Sequence, residues 1–359
     1  MTARTRSRTF LVGAAVAALA APLLLVAALA APADARKVGP RPHEVSIYKV
    51  EKHVDLSGEY PDNYLSTSLR CDGNDWAVDG MWRIDHVDQF NPSNHDPDDP
   101  DGGIYNDARD VIVYASYGDG ADRAKWNFRL ENHAQGNAQV KLFLTCLRER
   151  TEANDNHRHQ MAISQRYADG SASGVLPAGH NQVDFNGDCG PGYVAVAPGF
   201  DFTHDTSNHI SRSWPINSGR VWSWAFTTTE ANPALTVYVR CMSKRVAAEF
   251  GHGASKKHTH KVPMVFRPHY NGGPQVSVGP KLTSVERRYD CDQNDGRYHA
   301  YKAMIGAFHI NDPHHVWFYG MDPRPKQRAF RFFWDGAGHN TVYLAAHCVR
   351  SRTGKQIRP

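Results

Sequence analysis

The chain carries none of the short signatures that would name an enzyme class. It has no His-Glu-x-x-His, no Gly-x-Ser-x-Gly, no Gly-x-x-x-x-Gly-Lys-Ser/Thr and no Cys-x-x-Cys-His. These absences exclude the motif-bearing zinc hydrolases, α/β-hydrolases, phosphate-loop NTPases and c-type haem attachment. An excess of charge of one sign is also lacking: 41 Lys and Arg face 37 Asp and Glu, for a formal net charge of +4. Residues 1–35 hold three of those arginines and one aspartate, so the remainder stands at +2. Near-neutrality points to no nucleic-acid partner and to no charged membrane surface. A mean hydropathy of -0.56 excludes a polytopic membrane protein. Beyond residue 35 no segment of convincing length has the helical period.

The long apolar run that does occur is at the start. Arg4, Arg6 and Arg8 precede the apolar stretch Phe10–Ala30, and Ala33-Asp34-Ala35 offers a small-residue cleavage site before Arg36. Residues 1–35 are therefore read as a secretory signal cleaved after Ala35, giving a secreted, extracellular protein. The run is long enough to cross a bilayer, so an uncleaved signal is the only membrane association foreseen. Pro22 and the alanine-rich composition favour cleavage. The six cysteines fit an exported protein with three disulfides better than a metal cluster, because none is paired as Cys-x-x-Cys.

A repeat narrows the fifteen pairings that six cysteines allow. Val140, Leu142, Leu144 and Cys146 alternate with polar or aromatic residues, as do Leu235, Val237, Val239 and Cys241, and again Val342, Leu344, Ala346 and Cys348. That period of two is a strand with one buried face. An arginine follows each cysteine by four positions: Arg150, Arg245 and Arg352. Upstream, Cys71 leads through a polar turn and a short apolar run to Gly80, and Cys189 leads similarly to Gly199-Phe200. The third copy, from Cys291 to Gly306-Ala307-Phe308, is longer. An aromatic strand then precedes each closing cysteine: Trp126-Asn127-Phe128, Trp222 to Phe226, and Phe330 to Trp334. One bridge per copy gives Cys71–Cys146, Cys189–Cys241 and Cys291–Cys348. Each would close a loop worth about 4 kcal/mol in the chain-entropy account.

The expected architecture is all-β: three tandem antiparallel β-sandwich-like modules, each closed by one disulfide, after a signal peptide. Module one spans 36–150 with an acidic insertion at 85–110, module two 157–246 and module three 261–353, with a basic tail at 354–359. The insertion includes Asp96, Asp98, Asp99 and Asp101 among prolines and asparagines. Such oxygens suit Ca²⁺, although the spacing is not that of an EF-hand, and a solvated acidic loop is the simpler reading. His157 and His159 in one linker, and His258 and His260 in the next, form His-x-His pairs that can bind Zn²⁺ if a third ligand approaches. Solvated linker histidines are the plainer alternative. Trp126, Trp222, Trp224 and Trp334 either fill module cores or present stacking faces to sugar rings. Arg150, Arg245 and Arg352 either bond within the fold or form a stripe for an acidic polymer.

The order of cysteine, polar turn, Ala/Val run, Gly-aromatic, Trp-x-Phe and Val-x-Val-x-Cys resembles repeats of exported bacterial proteins of uncharacterised role. The resemblance covers modules one and two and part of module three, and it implies fold and export only. The function expected from all this is non-enzymatic binding of a surface glycan, a wall polymer or a protein through loops at the sandwich ends. A secreted hydrolase using two carboxylates distant in sequence, and a divalent-metal binder, are the alternatives.

Overall fold

Alternation of branched and aromatic side chains with polar ones makes strands along nearly the whole described chain. The computed structural model describes residues 43–58, 61–86, 111–133, 137–153, 158–161, 163–164, 174–176, 178–184, 188–202, 208–228, 234–246, 249–250, 259–261, 264–268, 276–278, 283–288, 301–336, 340–353 and 356–357. Module one contributes β1 (Ile47–Leu56), β2 (Tyr64–Arg70), β3 (Trp76–His86), β4 (Val111–Gly118), β5 (Lys125–Asn132) and β6 (Ala138–Leu147). After the short β7 (Arg158–His159), module two contributes β8 (Ile163–Ser164), β9 (Gly174–Val175), β10 (Gly179–Asp184), β11 (Tyr193–Phe202), β12 (Asn208–Ile216), β13 (Val221–Thr228) and β14 (Ala234–Ser243). The linker strands are β15 (Arg245–Val246), β16 (Glu249–Phe250) and β17 (Thr259–Lys261). Module three contributes β18 (Met264–Pro268), β19 (Val276–Val278), β20 (Thr283–Arg288), β21 (Tyr301–Ile310), β22 (Val316–Arg324), β23 (Ala329–Gly336) and β24 (Asn340–Arg350), and β25 (Gln356–Ile357) ends the series.

The all-β, antiparallel expectation holds, but the modules do not close on themselves. Each is split into two half-sheets, and each half-sheet continues into a different neighbour. One sheet runs β2-β5-β4-β11-β14-β8 and joins modules one and two. A second runs β10-β13-β12-β21-β24-β18 and joins modules two and three. The third runs β1-β6-β3-β22-β23-β20 and joins module three back to module one. The arrangement is cyclic, and the buried apolar residues of all three modules form one core. Single-module sandwiches were the natural expectation because every short-range signal is internal to a module, whereas the joins pair strands remote in sequence.

Equivalent irregularities mark the repeat. In β3, β11 and β21 the ladder shifts just after Ala77, near Ala197 and just after Ala303. Ala77, Ala195 and Ala303 each lie opposite a closing cysteine. A second bulge falls within β4, β12 and β22. Cys71–Cys146 and Cys189–Cys241 are bridged as expected, with Cα atoms 5.7 and 5.4 Å apart. Cys348 is also disulfide-bonded; Cys291, its expected partner, lies outside the described residues, as do the signal segment and the acidic residues Asp96, Asp98, Asp99 and Asp101.

Of the two readings open for the four tryptophans, core filling or stacking faces, the structure has the core. Trp126, Trp222, Trp224 and Trp334 are essentially without solvent exposure, so they leave no face for a ligand. Their packing is specific. The Trp126 indole donates to the Ser116 hydroxyl at 2.9 Å, and Ser116 donates to the Gly80 carbonyl at 2.9 Å. Trp222 donates to Ser213 at 3.0 Å in the same relation. Gly80 is glycine because the indole passes over it: a Cβ there would stand 1.9 Å from Trp126 Nε1.

The closing strands alternate only in their first halves. From Phe143, Val239 and Leu344 onward both faces are buried up to the cysteine, because the continued sheet brings the neighbouring module over the outer face. The residue just before each cysteine therefore points into a module boundary. Arg240 is buried there and donates to the carbonyls of Ala77 at 2.9 Å, Arg123 at 2.7 Å and Asp119 at 2.7 Å, all in module one. His347 lies edge-on to Trp222 of module two with ring centroids 5.5 Å apart. Burial, with Lys244 nearby, pushes its imidazole down to about 3. Thr145 holds the third position, and its hydroxyl is buried with no hydrogen-bond partner. Lys49, paired with Thr145 across β1 and β6, reaches Asp322 of module three at 2.9 Å instead.

Candidate functional site

Beyond β6 the chain runs beside the turn that follows Cys71, and a polar cavity of about 440 Å³ opens between them. Asp72, Asp75, Arg148, Glu149, Arg150 and Arg158 supply its charged lining, together with Glu152. Three of these acids are engaged by the protein itself. Asp75 accepts the Glu149 N–H at 2.8 Å and the Tyr48 hydroxyl at 2.9 Å. Glu149 is paired with Arg123 and accepts the Gln160 amide at 3.1 Å. Glu152 accepts the Ser46 hydroxyl at 3.3 Å. Burial holds the Tyr48 phenol well above its ordinary pKa, with Asp75 adding to the shift, so it stays a donor. Arg123 is further fixed by lying over Trp76, 4.7 Å from the ring centre.

The cations are placed differently. Arg148 and Arg158 are exposed, and among the described residues neither side chain has an ion pair. Arg150, one of the three repeated arginines, sits with Nε 3.9 Å from Glu149. The cavity thus offers the Arg148 and Arg158 guanidinium forks to solvent beside four carboxylates, three of which already have partners within the protein. An arrangement of this kind suits an anionic group bearing neighbouring hydroxyls, since Arg binds carboxylate or phosphate through two parallel N–H donors.

Next to the cavity, Thr151 pairs with His159 through a backbone bond of 2.9 Å and accepts the His159 N–H on its hydroxyl at 3.0 Å. His159 is buried and meets the His43 ring edge to face, with centroids 4.4 Å apart. His43 Nδ1 lies 3.3 Å from the Glu152 carbonyl. A carbonyl only accepts, so Nδ1 carries the proton.

No family model and no curated protein matches the chain. The site must accordingly be judged on its residues. Of the sequence candidates, Arg150 lies in the cavity and His159 beside it. Arg352 is exposed at a bridge to Glu44, and Arg245 begins β15. The three arginines occupy equivalent backbone positions, each in a short antiparallel pairing. His157 and His258 lie outside the described residues, and His260 is placed by its backbone on β17. Among the described side chains no group of three His, Cys, Asp and Glu is set to hold a metal ion.

A second surface with recognition chemistry lies on the sheet that joins modules one and two. Tyr117 and Tyr238 stack with ring centroids 4.8 Å apart, on either side of Gly199. Asp201 pairs with Arg129 beside them, and Tyr64 on β2 is 44% exposed. Burial raises the Tyr238 phenol to about 12. Sequence reasoning passed over His43, Arg148, Arg158 and this tyrosine pair. Arg148 and His43 left a readable trace: Cys146-x-Arg148-x-Arg150-Thr151 and Cys348-x-Arg350-x-Arg352-Thr353 repeat, and the two threonines hold the two histidines.

Proposed function

We propose that this is an exported, non-enzymatic binding protein whose ligand is an anionic, hydroxyl-rich surface glycan or wall polymer, held in the cavity at the Cys71–Cys146 end of module one. The observation that carries this reading is the pairing pattern of the cavity: three of its acids are tied to internal partners while Arg148 and Arg158 face solvent. Its volume of about 440 Å³ is that of a site for a small ligand or for a few units of a chain. The bridged cysteines support export, because such bonds persist in oxidising compartments. No helix among the described residues is long and apolar enough to cross a membrane.

Calorimetric titration against acidic and neutral polysaccharides tests the proposal. Acidic chains should bind, the affinity should fall as salt rises, and Arg148→Ala or Arg158→Ala should each weaken binding about tenfold. Binding to neutral chains that is indifferent to salt and to both substitutions sinks the idea.

A further inference from the structure

His43, His159 and His260 occupy one register position repeated three times. Four residues beyond each closing cysteine, Arg150 pairs with Gln160, Arg245 with Lys261 and Arg352 with Glu44. One step further along, Thr151 pairs with His159, Val246 with His260 and Thr353 with His43. The Thr353 pairing repeats that of Thr151 bond for bond: the threonine N–H donates to the histidine carbonyl and the threonine hydroxyl accepts the histidine N–H, both at 2.8 Å. Each histidine comes from the segment that enters one module and is held by the end of the module before it, and the last module hands on to the first.

Two of the three positions meet, since the His43 and His159 rings are buried and 4.4 Å apart. The cyclic sheet order relates the third position to these two as they relate to each other, which puts the His260 backbone at the remaining corner. We infer that His43, His159 and His260 form a binding site for a borderline transition-metal ion of the Zn²⁺ class where the three repeats come together. Three imidazoles with a fourth, open position are an established donor set for Zn²⁺, at about 2.0–2.1 Å per bond. His43 Nδ1 lies 3.3 Å from the Glu152 carbonyl, and a ring nitrogen anchored in this way is the usual support of a metal-bound histidine. The inference is independent of the polymer-binding reading, whose cavity uses arginines and none of these rings.

The test is titration of Zn²⁺ into the metal-stripped full chain, with Co²⁺ as the coloured substitute. One ion per chain, a visible tetrahedral cobalt spectrum and a higher melting point are expected. His43→Gln and His260→Gln should each lower affinity by about 100-fold or more, while His157→Gln and His258→Gln leave it unchanged. Because His159→Gln alters a buried contact, the unsubstituted chain supplies a second readout: zinc should shift the ring resonances of the same three histidines together in NMR spectra. Failure to take up one equivalent, uptake that survives His43→Gln and His260→Gln, or ring shifts at other histidines would overturn the assignment.

Discussion

The boundary between modules one and two and the boundary between two and three use the same backbone position for different chemistry. At the first, Arg240 keeps a buried charge by giving three hydrogen bonds to carbonyls. At the second, His347 is kept neutral by burial and contributes its ring to Trp222. The third boundary, where module three returns to module one, gives the position to Thr145 and moves the polar contact to Lys49 and Asp322. The backbone repeat dictates that something must fill the gap over the neighbouring turn. It leaves open whether charge, ring or a displaced ion pair does so, and the three boundaries should fail in different ways.

Arg240→Met sets the upper end of that comparison. It removes the guanidinium donor from the buried Ala77 carbonyl and the half-buried Asp119 carbonyl, while the Arg123 carbonyl keeps the Ala77 N–H, and should cost about 3 kcal/mol in denaturant unfolding. Arg240→Lys keeps the charge but not the fork, and should fall between that variant and the parent. At the third boundary Gly320 has φ +143, and a Cβ there would stand 1.9 Å from the Trp82 carbonyl oxygen. Gly320→Ala should therefore cost about 3 kcal/mol, from backbone strain plus overpacking.

The pH response separates the boundaries further. The folded-state value of His347 lies below its ordinary one, so the unfolded chain binds the extra proton and stability falls as pH drops below about 6.5, by up to about 1.4 kcal/mol per unit. His347→Gln should flatten that acid limb in melting curves recorded against pH. Asp79 acts in the opposite sense. It is fully buried, accepts the Gly306 N–H at 3.2 Å, and burial holds its carboxyl well above the usual range. Its contribution is present at low pH and is lost as pH rises from the ordinary carboxylate range through the raised folded value, so Asp79→Asn should narrow the fall in melting point over that rise. The smallest effect is expected at Thr145→Val, which removes an unpartnered hydroxyl and should change stability by about 1 kcal/mol or less, toward greater stability.

The parts of this fold that could be read from the sequence are those whose cause is local. The closing strands, the aromatic strands and two disulfide pairings follow from period-two patterning and a repeated cysteine. Sheet sharing could not be read, because the pairing of Ser213 with Phe308, or of Arg83 with Gly320, leaves no mark at short range. Arg240 stands between Val239 and Cys241, where alternation alone assigns it to the outer, polar face of its strand. Its burial arises from module one, more than a hundred residues away. His43 stood in a lead-in without periodicity, where one buried ring is invisible to any pattern based on alternation. The cavity arginines were partly visible, since Arg150 recurs in all three copies and Arg148 recurs once, as Arg350, whereas Arg158 has no counterpart.

The cyclic order of the sheets also bears on how the chain is made. Strand β3 is laid down in the first quarter of the sequence, yet its neighbour β22 arrives only near residue 316. A chain emerging amino end first can bridge Cys71 to Cys146 early, but it must hold an unpaired β3 edge and half of a shared core until the last third appears. Completion is therefore a single late event that depends on the carboxyl-terminal strands. A truncation within module three would leave two modules with open edges, exposed to each other and to every other copy emerging beside them.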